Sequence, residues 1–419
     1  MKAADYPVVR IMLVSLAVLL VAPLLSGCWD RLELDDRAIV LGVSIDEVND
    51  EELLAEESEV THLRGTIPAP KKGMIRVGVQ IALPGRIPLG PGEGGGGGGG
   101  GGETNDTIWV LDVVGHTIDD AFTILQQQVS SRLFFGHLRI IVVSEKIARK
   151  GMGNINDYFR RNPAVRRMAW MMVSKGKARE MLNASPKLER IPTLYLMSTL
   201  DNGIRLGKFP KDYIGQYWSN TSKLGQEGFL PYIDIKKEQN VEVSGIAYFK
   251  SEQMVGVTKT LEIAGYLGLR GVNPAGYRTF VILDKNDLST AVMVNVRHRD
   301  VKWSLQIKDG IPHFTIKVEL EVDLDEKYTS NSKVVSLSEI QKIEKQHEEV
   351  SVKAYENFLR KTQVKQSDFI GFGEYVRAKN PEFWKQHIRT KEDWQRMYKD
   401  VTFDIQVDVR LRRMGMKTQ

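Results

Sequence analysis

The sequence has one cysteine, Cys28, among 419 residues. A single thiol excludes a disulfide framework and a cysteine-ligated metal cluster, both of which need several. Charge of one sign is also missing. Lys and Arg number 58 against 53 Asp and Glu, a net +5. That excess is too small to mark a nucleic-acid binder, so no nucleic-acid partner is expected; the mild positive sign would suit an anionic membrane surface. The seven histidines, at 62, 116, 137, 298, 313, 347 and 387, show no HExxH or comparable ligand spacing. No metal or other cofactor is expected. No GxSxG elbow appears. The glycines do not form a phosphate loop either: nine run consecutively over 94–102 without the lysine and helix that a phosphate cradle needs. Polyglycine has the most backbone entropy to lose on ordering, so 84–103 reads as a flexible loop. Beyond the N-terminus no apolar run approaches 18 residues, and the rest of the chain is expected outside a bilayer.

What is present begins at the N-terminus. Lys2 and Arg10 flank a short polar start, and Ile11 to Leu25 is an almost unbroken apolar run ending in Leu25-Ser26-Gly27-Cys28. About 20 apolar residues are needed to cross a bilayer. A charged start, a shorter apolar core and small residues at the cut describe a signal peptide, 1–27. The ending matches the lipobox of bacterial lipoproteins, with cleavage between Gly27 and Cys28. The thiol of Cys28 then carries an S-diacylglycerol group and its freed amine an acyl chain. Pro23 and the small residues argue against an uncleaved anchor.

Downstream, Ile39 to Ile45 reads as a buried strand and Ile75 to Leu83 as its hairpin partner. The acidic stretch Asp46 to Glu59 between them reads as a solvated excursion. Thr107 to Val114 is strand-like. Thr117 caps a helix with Asp120 at its third position, and Ile118, Ala121, Phe122, Leu125 and Val129 form the apolar face. Leu138 to Ser144 is a buried strand, Asn154 to Arg161 a helix stopped by Pro163, and Arg167 to Val173 another strand. This alternation gives an N-terminal α/β domain, 28–192. A smaller middle domain, 193–276, holds a strand pair at Val241–Phe249 and Met254–Thr258. The C-terminal α+β domain, 277–415, has alternating strands around an Asp309-Gly310 hairpin turn. It continues with a long helix over Ser336–Thr362, whose stripe is Leu337, Ile340, Ile343, Val350, Ala354 and Phe358. It ends in Val401, Phe403, Ile405, Val407, Val409 and Leu411, alternating with polar residues. One face of that strand is buried and one wet, so the last sheet is expected to be mainly antiparallel.

Four segments resemble the Ger(x)C family, the lipoprotein C subunits of nutrient germinant receptors in endospore-forming bacteria. They are the lipobox running into Trp29-Asp30-Arg31-Leu32-Glu33-Leu34-Asp35-Asp36 and then Ala38 to Val43; the polyglycine loop ahead of the strand and helix around His116; Ser131 to Arg139 (SRLFFGHLR); and Gly371-Phe372-Gly373-Glu374-Tyr375 with Lys379-Asn380-Pro381 and Phe383-Trp384. They span nearly the whole chain after Cys28. The segment 46–72 departs from the pattern, since members usually turn more briefly there. The resemblance implies a mixed α/β (α+β) protein of three domains, each a sheet packed with helices. It also implies a non-catalytic role, with A and B membrane subunits as partners on the outer face of the spore inner membrane, and a part in triggering germination.

Two groups of residues stand out as candidate partner contacts. Trp29, Asp30, Arg31 and Glu33 either meet a partner or act as a spacer above the lipid headgroups. Phe372, Glu374, Tyr375 and Trp384 either form a partner-facing aromatic surface or pack internally with Phe383. His137 reads as a core or interface histidine rather than a ligand. The alternative function is a solute-binding lipoprotein that delivers a small nutrient ligand to a membrane partner, which would call for two lobes around a cleft.

Overall fold

The structure is a computed structural model. It describes residues 7–21, 37–49, 73–83, 107–184, 189, 191–237, 240–284, 286–329 and 336–413. The expected cleavage and lipidation residues Gly27 and Cys28, the candidate contacts Trp29, Asp30, Arg31 and Glu33, and the polyglycine loop lie outside them.

The apolar runs of the first half become the centre of a nine-stranded sheet. Its strands are β1 (Arg37–Glu47), β2 (Ile75–Ala82), β3 (Ile108–Gly115), β4 (Arg132–Phe134), β5 (Ile140–Ser144), β6 (Trp170–Ser174), β7 (Phe229–Ile235), β8 (Val241–Lys250) and β9 (Gln253–Val257). Their order is β3-β2-β1-β5-β6-β7-β8-β9, with the short β4 beside β1. β1, β5, β6 and β7 are parallel. Antiparallel pairs close both sides. Every residue of β5 and β6 is buried, because parallel strands covered on both faces read as continuous apolar runs. The pleat sends alternate side chains to opposite cores. Ile141, Val143, Met171 and Val173 join one core with helix α2 (Ile118–Gln128). Ile140, Val142, Trp170 and Met172 join the other. That second core also takes α5 (Ala178–Asn183), α6 (Pro192–Arg205) and α8 (Thr260–Leu269). Helices α3 (Glu145–Lys150), α4 (Gly153–Arg161) and α7 (Ile214–Thr221) lie between these elements, and α1 (Pro7–Val21) precedes them all. The α2 cap forms as read: the Asp120 amide donates to Thr117 Oγ1 at 3.1 Å. The side chain of Asp120 accepts from the amide of His116, one residue earlier than a capping box would place it.

The second sheet has the order β10-β11-β12-β13: Arg278–Asp284, Asp287–Lys308, Ile311–Lys327 and Thr402–Arg413. β11 and β12 meet through Asp309-Gly310, both at positive φ, as a two-residue hairpin of this twist requires. β10, β11 and β12 are antiparallel, whereas β13 joins β12 in parallel. A register shift between Val296 and His298 leaves Arg297 as an extra residue on β11. The shift reverses which side chains face inward. Before it Val292, Val294 and Val296 are buried; after it the inward positions are Arg299, Val301, Trp303 and Leu305.

Helix α9 (Leu337–Val364) starts from a Ser336–Glu339 capping box and covers this sheet. Its Glu344 and Glu348 accept from the amides of Leu411 (2.8 Å) and Val409 (3.1 Å), so the exposed edge of β13 is partly satisfied by side chains. Three short helices follow: α10 (Phe372–Lys379), α11 (Pro381–His387) and α12 (Lys391–Tyr398).

Three expectations need correction. The first sheet runs across the expected boundary at residue 192, since β6 before it pairs with β7 after it. Asp46 is buried rather than solvated, because its carboxylate accepts from the amides of Ala178 and Arg179 at the start of α5 (2.6 and 2.8 Å). The buried stripe of α9 is Ile343, His347, Tyr355, Phe358, Leu359 and Thr362, while Leu337, Val350 and Ala354 are exposed. A count of apolar residues alone passes over His347 and Tyr355, which hold the inward positions of a 3.6-residue repeat.

Candidate functional site

The Gly-Phe-Gly-Glu segment and the residues before it build a densely hydrogen-bonded buried polar cluster. Asp368 is its centre. Its Oδ1 accepts from the Gly371 amide (2.8 Å), and its Oδ2 from the Gly373 amide (2.8 Å) and Trp394 Nε1 (3.0 Å). Burial pushes its pKa up to about 6 against the pull of these donors. The turn depends on Gly371, at φ +97°, and on Gly373. A Cβ at Gly373 would lie 2.4 Å from the Trp394 indole and 2.6 Å from the Gly225 carbonyl oxygen.

This turn places an aromatic ring against each sheet. Phe369 stacks on Tyr248 of β8 (5.2 Å) and Tyr266 of α8 (5.5 Å). Phe372 stacks on Trp303 of β11 (4.5 Å) and meets Phe314 of β12 (4.8 Å) and Phe403 of β13 (4.9 Å). Backbone bonds then tie the turn to the loop after α7. The Glu374 amide donates to Gly225 O (3.0 Å), the Gly225 amide to Glu374 Oε1 (2.9 Å), and the Glu227 amide to Asp368 O (2.9 Å). The buried Glu227 carboxylate receives Lys391 Nζ (3.0 Å), Gln395 Nε2 (2.6 Å) and the Ser251 amide (2.9 Å). A buried ion pair holds only when its remaining valences are filled. Here Lys391 also donates to the carbonyls of Thr221 and Gln226.

Of the candidate partner residues in this segment, Phe372 and Trp384 are interior, and Glu374 and Tyr375 are half-buried. Phe372 is fully buried and Trp384 is 5% exposed. The Tyr375 hydroxyl donates to Trp303 O at 2.7 Å, and Glu374 is taken up by Gly225 and Arg377. Phe372 fills the joint between the sheets, and Trp384 packs against the Trp394 indole at 5.9 Å. His137 is half-buried, edge-on to Phe134 at 5.9 Å. In the same segment Phe135 packs on Phe122, and the Arg37 guanidinium lies 4.6 Å above Phe134. This pins the start of β1. Asp368, Glu227 and Lys391 escaped the sequence reading. Only the Gly-Phe-Gly spacing hinted at a close backbone approach. Among the described residues no group of three His, Cys, Asp or Glu could hold a metal ion, and no helix is long and apolar enough to cross a membrane.

Two sheets joined by a buried polar and aromatic hinge-block define an α+β protein whose polar core couples one sheet to the other. Comparison with known proteins then supplies the family. Residues 30–235 match the model for the spore germination protein N-terminal domain, and 244–415 the model for the spore germination B3/GerAC-like C-terminal domain. The chain belongs to this spore germination family of germinant-receptor C subunits, which is not a known enzyme family. It is 27% identical to spore germination protein KC of Bacillus subtilis (strain 168), covering 98% of this chain and 97% of that one. It is 25% identical to spore germination protein GerQC of Bacillus cereus, covering 72% and 81%. The crystal structure of the GerBC protein has a similar fold, with a TM-score of 0.54 at 16% identity over 81% of this chain and 93% of that one.

Proposed function

We propose that this chain is a lipid-anchored, non-catalytic C subunit of a spore nutrient germinant receptor. In this reading it assembles with A and B membrane subunits and takes part in the signal that triggers germination. The observation that carries the proposal is the family match beginning at residue 30, two residues beyond Cys28. A tether at Cys28 places the folded region directly against the outer face of the membrane. The length of the N-terminal apolar run supports cleavage over a permanent span. The 15-residue apolar run Ile11 to Leu25 would rise roughly 22 Å as a helix at 1.5 Å per residue, short of a hydrocarbon core of about 30 Å. An S-diacylglycerol with an added N-acyl chain supplies stable attachment, where a single chain is marginal. Trp29, Asp30, Arg31 and Glu33 are then the residues nearest the headgroups and the partner subunits.

The test is fractionation. Cys28→Ala should move the protein from the membrane pellet to the high-salt supernatant. Retention of the variant in the pellet would refute the lipid anchor. Co-purification with polytopic receptor subunits, expected of the unaltered chain, tests assembly separately.

A further inference from the structure

The bulge at Arg297 turns Arg299 into a cavity of about 230 Å³ between α8, α9 and the second sheet. Arg299 is 3% exposed, forms no ion pair with any described residue, and its Nε finds no acceptor. Its backbone is held by Asn273, whose amide group pairs with Arg299 N and O (3.1 and 2.9 Å), so the strand is fixed with Arg299 lining the cavity. His347 lines the same cavity at 4% exposure, and its Nδ1 has no partner among the described residues. Among the described residues no carboxylate lines the space. The one other cation there, Arg278, is engaged by Asp325 at 2.6 Å. Leu261, Val296, Leu320 and Val350 supply apolar walls.

A buried guanidinium cannot discharge and presents five N–H donors in a planar fork shaped for a carboxylate. Leaving such a charge unpaired out of water is costly. Burial accordingly holds the Arg299 pKa below its usual value. We propose that this cavity is a binding site for a small organic carboxylate, its carboxylate on Arg299 beside His347 and its short apolar tail between α8 and α9. A cavity of about 230 Å³ suits a carboxylate with a short apolar tail. The site stands independently of how the chain is anchored or what it assembles with.

The test uses the full chain in detergent, titrated calorimetrically with acetate, isovalerate and benzoate, with isovaleramide and sulfate as controls. At least one carboxylate should bind saturably and at least tenfold more tightly than either control. Arg299→Gln should weaken that binding tenfold or more. Val350→Trp, at a position 52% exposed on the cavity wall, should block it while leaving the melting temperature without ligand unchanged. No saturable binding by any of the three carboxylates overturns the proposal. So does equal binding of the amide or of sulfate, or binding that survives Val350→Trp.

Discussion

Asp368 and His347 are buried groups that respond to acid in opposite directions. Burial raises the folded pKa of Asp368 from 3.8 to about 6. Its contribution is therefore present in full below the unfolded value and is lost as pH rises through about 6. Burial lowers the folded pKa of His347 from 6.5 to about 4. That contribution is present above 6.5 and is lost as pH falls through about 4. Each spans on the order of 3 kcal/mol, and between pH 4 and 6 the two oppose each other. Replacing His347, whose Nδ1 has no partner among the described residues, by Leu removes one side of this balance. In urea unfolding His347→Leu should gain about 2 kcal/mol relative to the unaltered chain on going from pH 7 to pH 5. Parallel pH profiles would refute the assignment. The glycines give a second residue-level prediction. Gly373→Ala should cost about 2 kcal/mol or more, since indole and backbone both stand in the way. Gly176→Ala, where the nearest atom to the new methyl is 3.7 Å away, should cost little. Equal midpoints for the two variants would contradict the close-packed joint.

At the level of elements, alternation and caps carried most of the information. The β11–β12 hairpin, the Thr117 cap and the Ser336 helix start were readable because partner and signal lie close in sequence, and β1 and β2 because both are continuous apolar runs. Alternation reports which face is wet and is silent on strand direction, so nothing in Val401 to Leu411 announced that β13 would lie parallel to β12. Likewise a cap counts local donors, which is why Asp46 looked solvated: the amides it meets belong to Ala178 and Arg179, far along the chain. The edge of β13 gives a prediction of its own. With Glu344→Ala and Glu348→Ala combined, the amides of Leu411 and Val409 lose their acceptors on an edge strand. The double variant should self-associate with rising concentration in size-exclusion chromatography with light scattering. A strictly monomeric profile equal to that of the parent would count against this role.

For the whole molecule, the larger apolar core matters most. It runs without a break from Ile140 and Trp170 in the first sheet to Phe314, Ile405 and Val409 in the second. A core shared in this way predicts one cooperative transition in scanning calorimetry, with van't Hoff and calorimetric enthalpies in agreement. Two resolved transitions would show the sheets to be independent. The joint that unites them was the least legible part of the sequence. Glu227 and Lys391 are far apart in sequence, and a buried ion pair between distant segments leaves no periodic trace in either. The family resemblance was legible because its motifs are local; whether Phe372 and Trp384 face a partner or the interior stayed open in the sequence, because exposure is decided by elements that those motifs do not contain.

The extra residue in β11 also sets what this chain can tolerate in length. Deleting Arg297 would straighten the strand and rotate every later side chain by half a turn, carrying Trp303 and Leu305 out to solvent and turning Lys302 and Ser304 inward. A single-residue insertion beyond it would do the same. Length changes in this hairpin are therefore admissible only at the Asp309-Gly310 tip, or as paired changes that restore the parity between Val296 and Arg299.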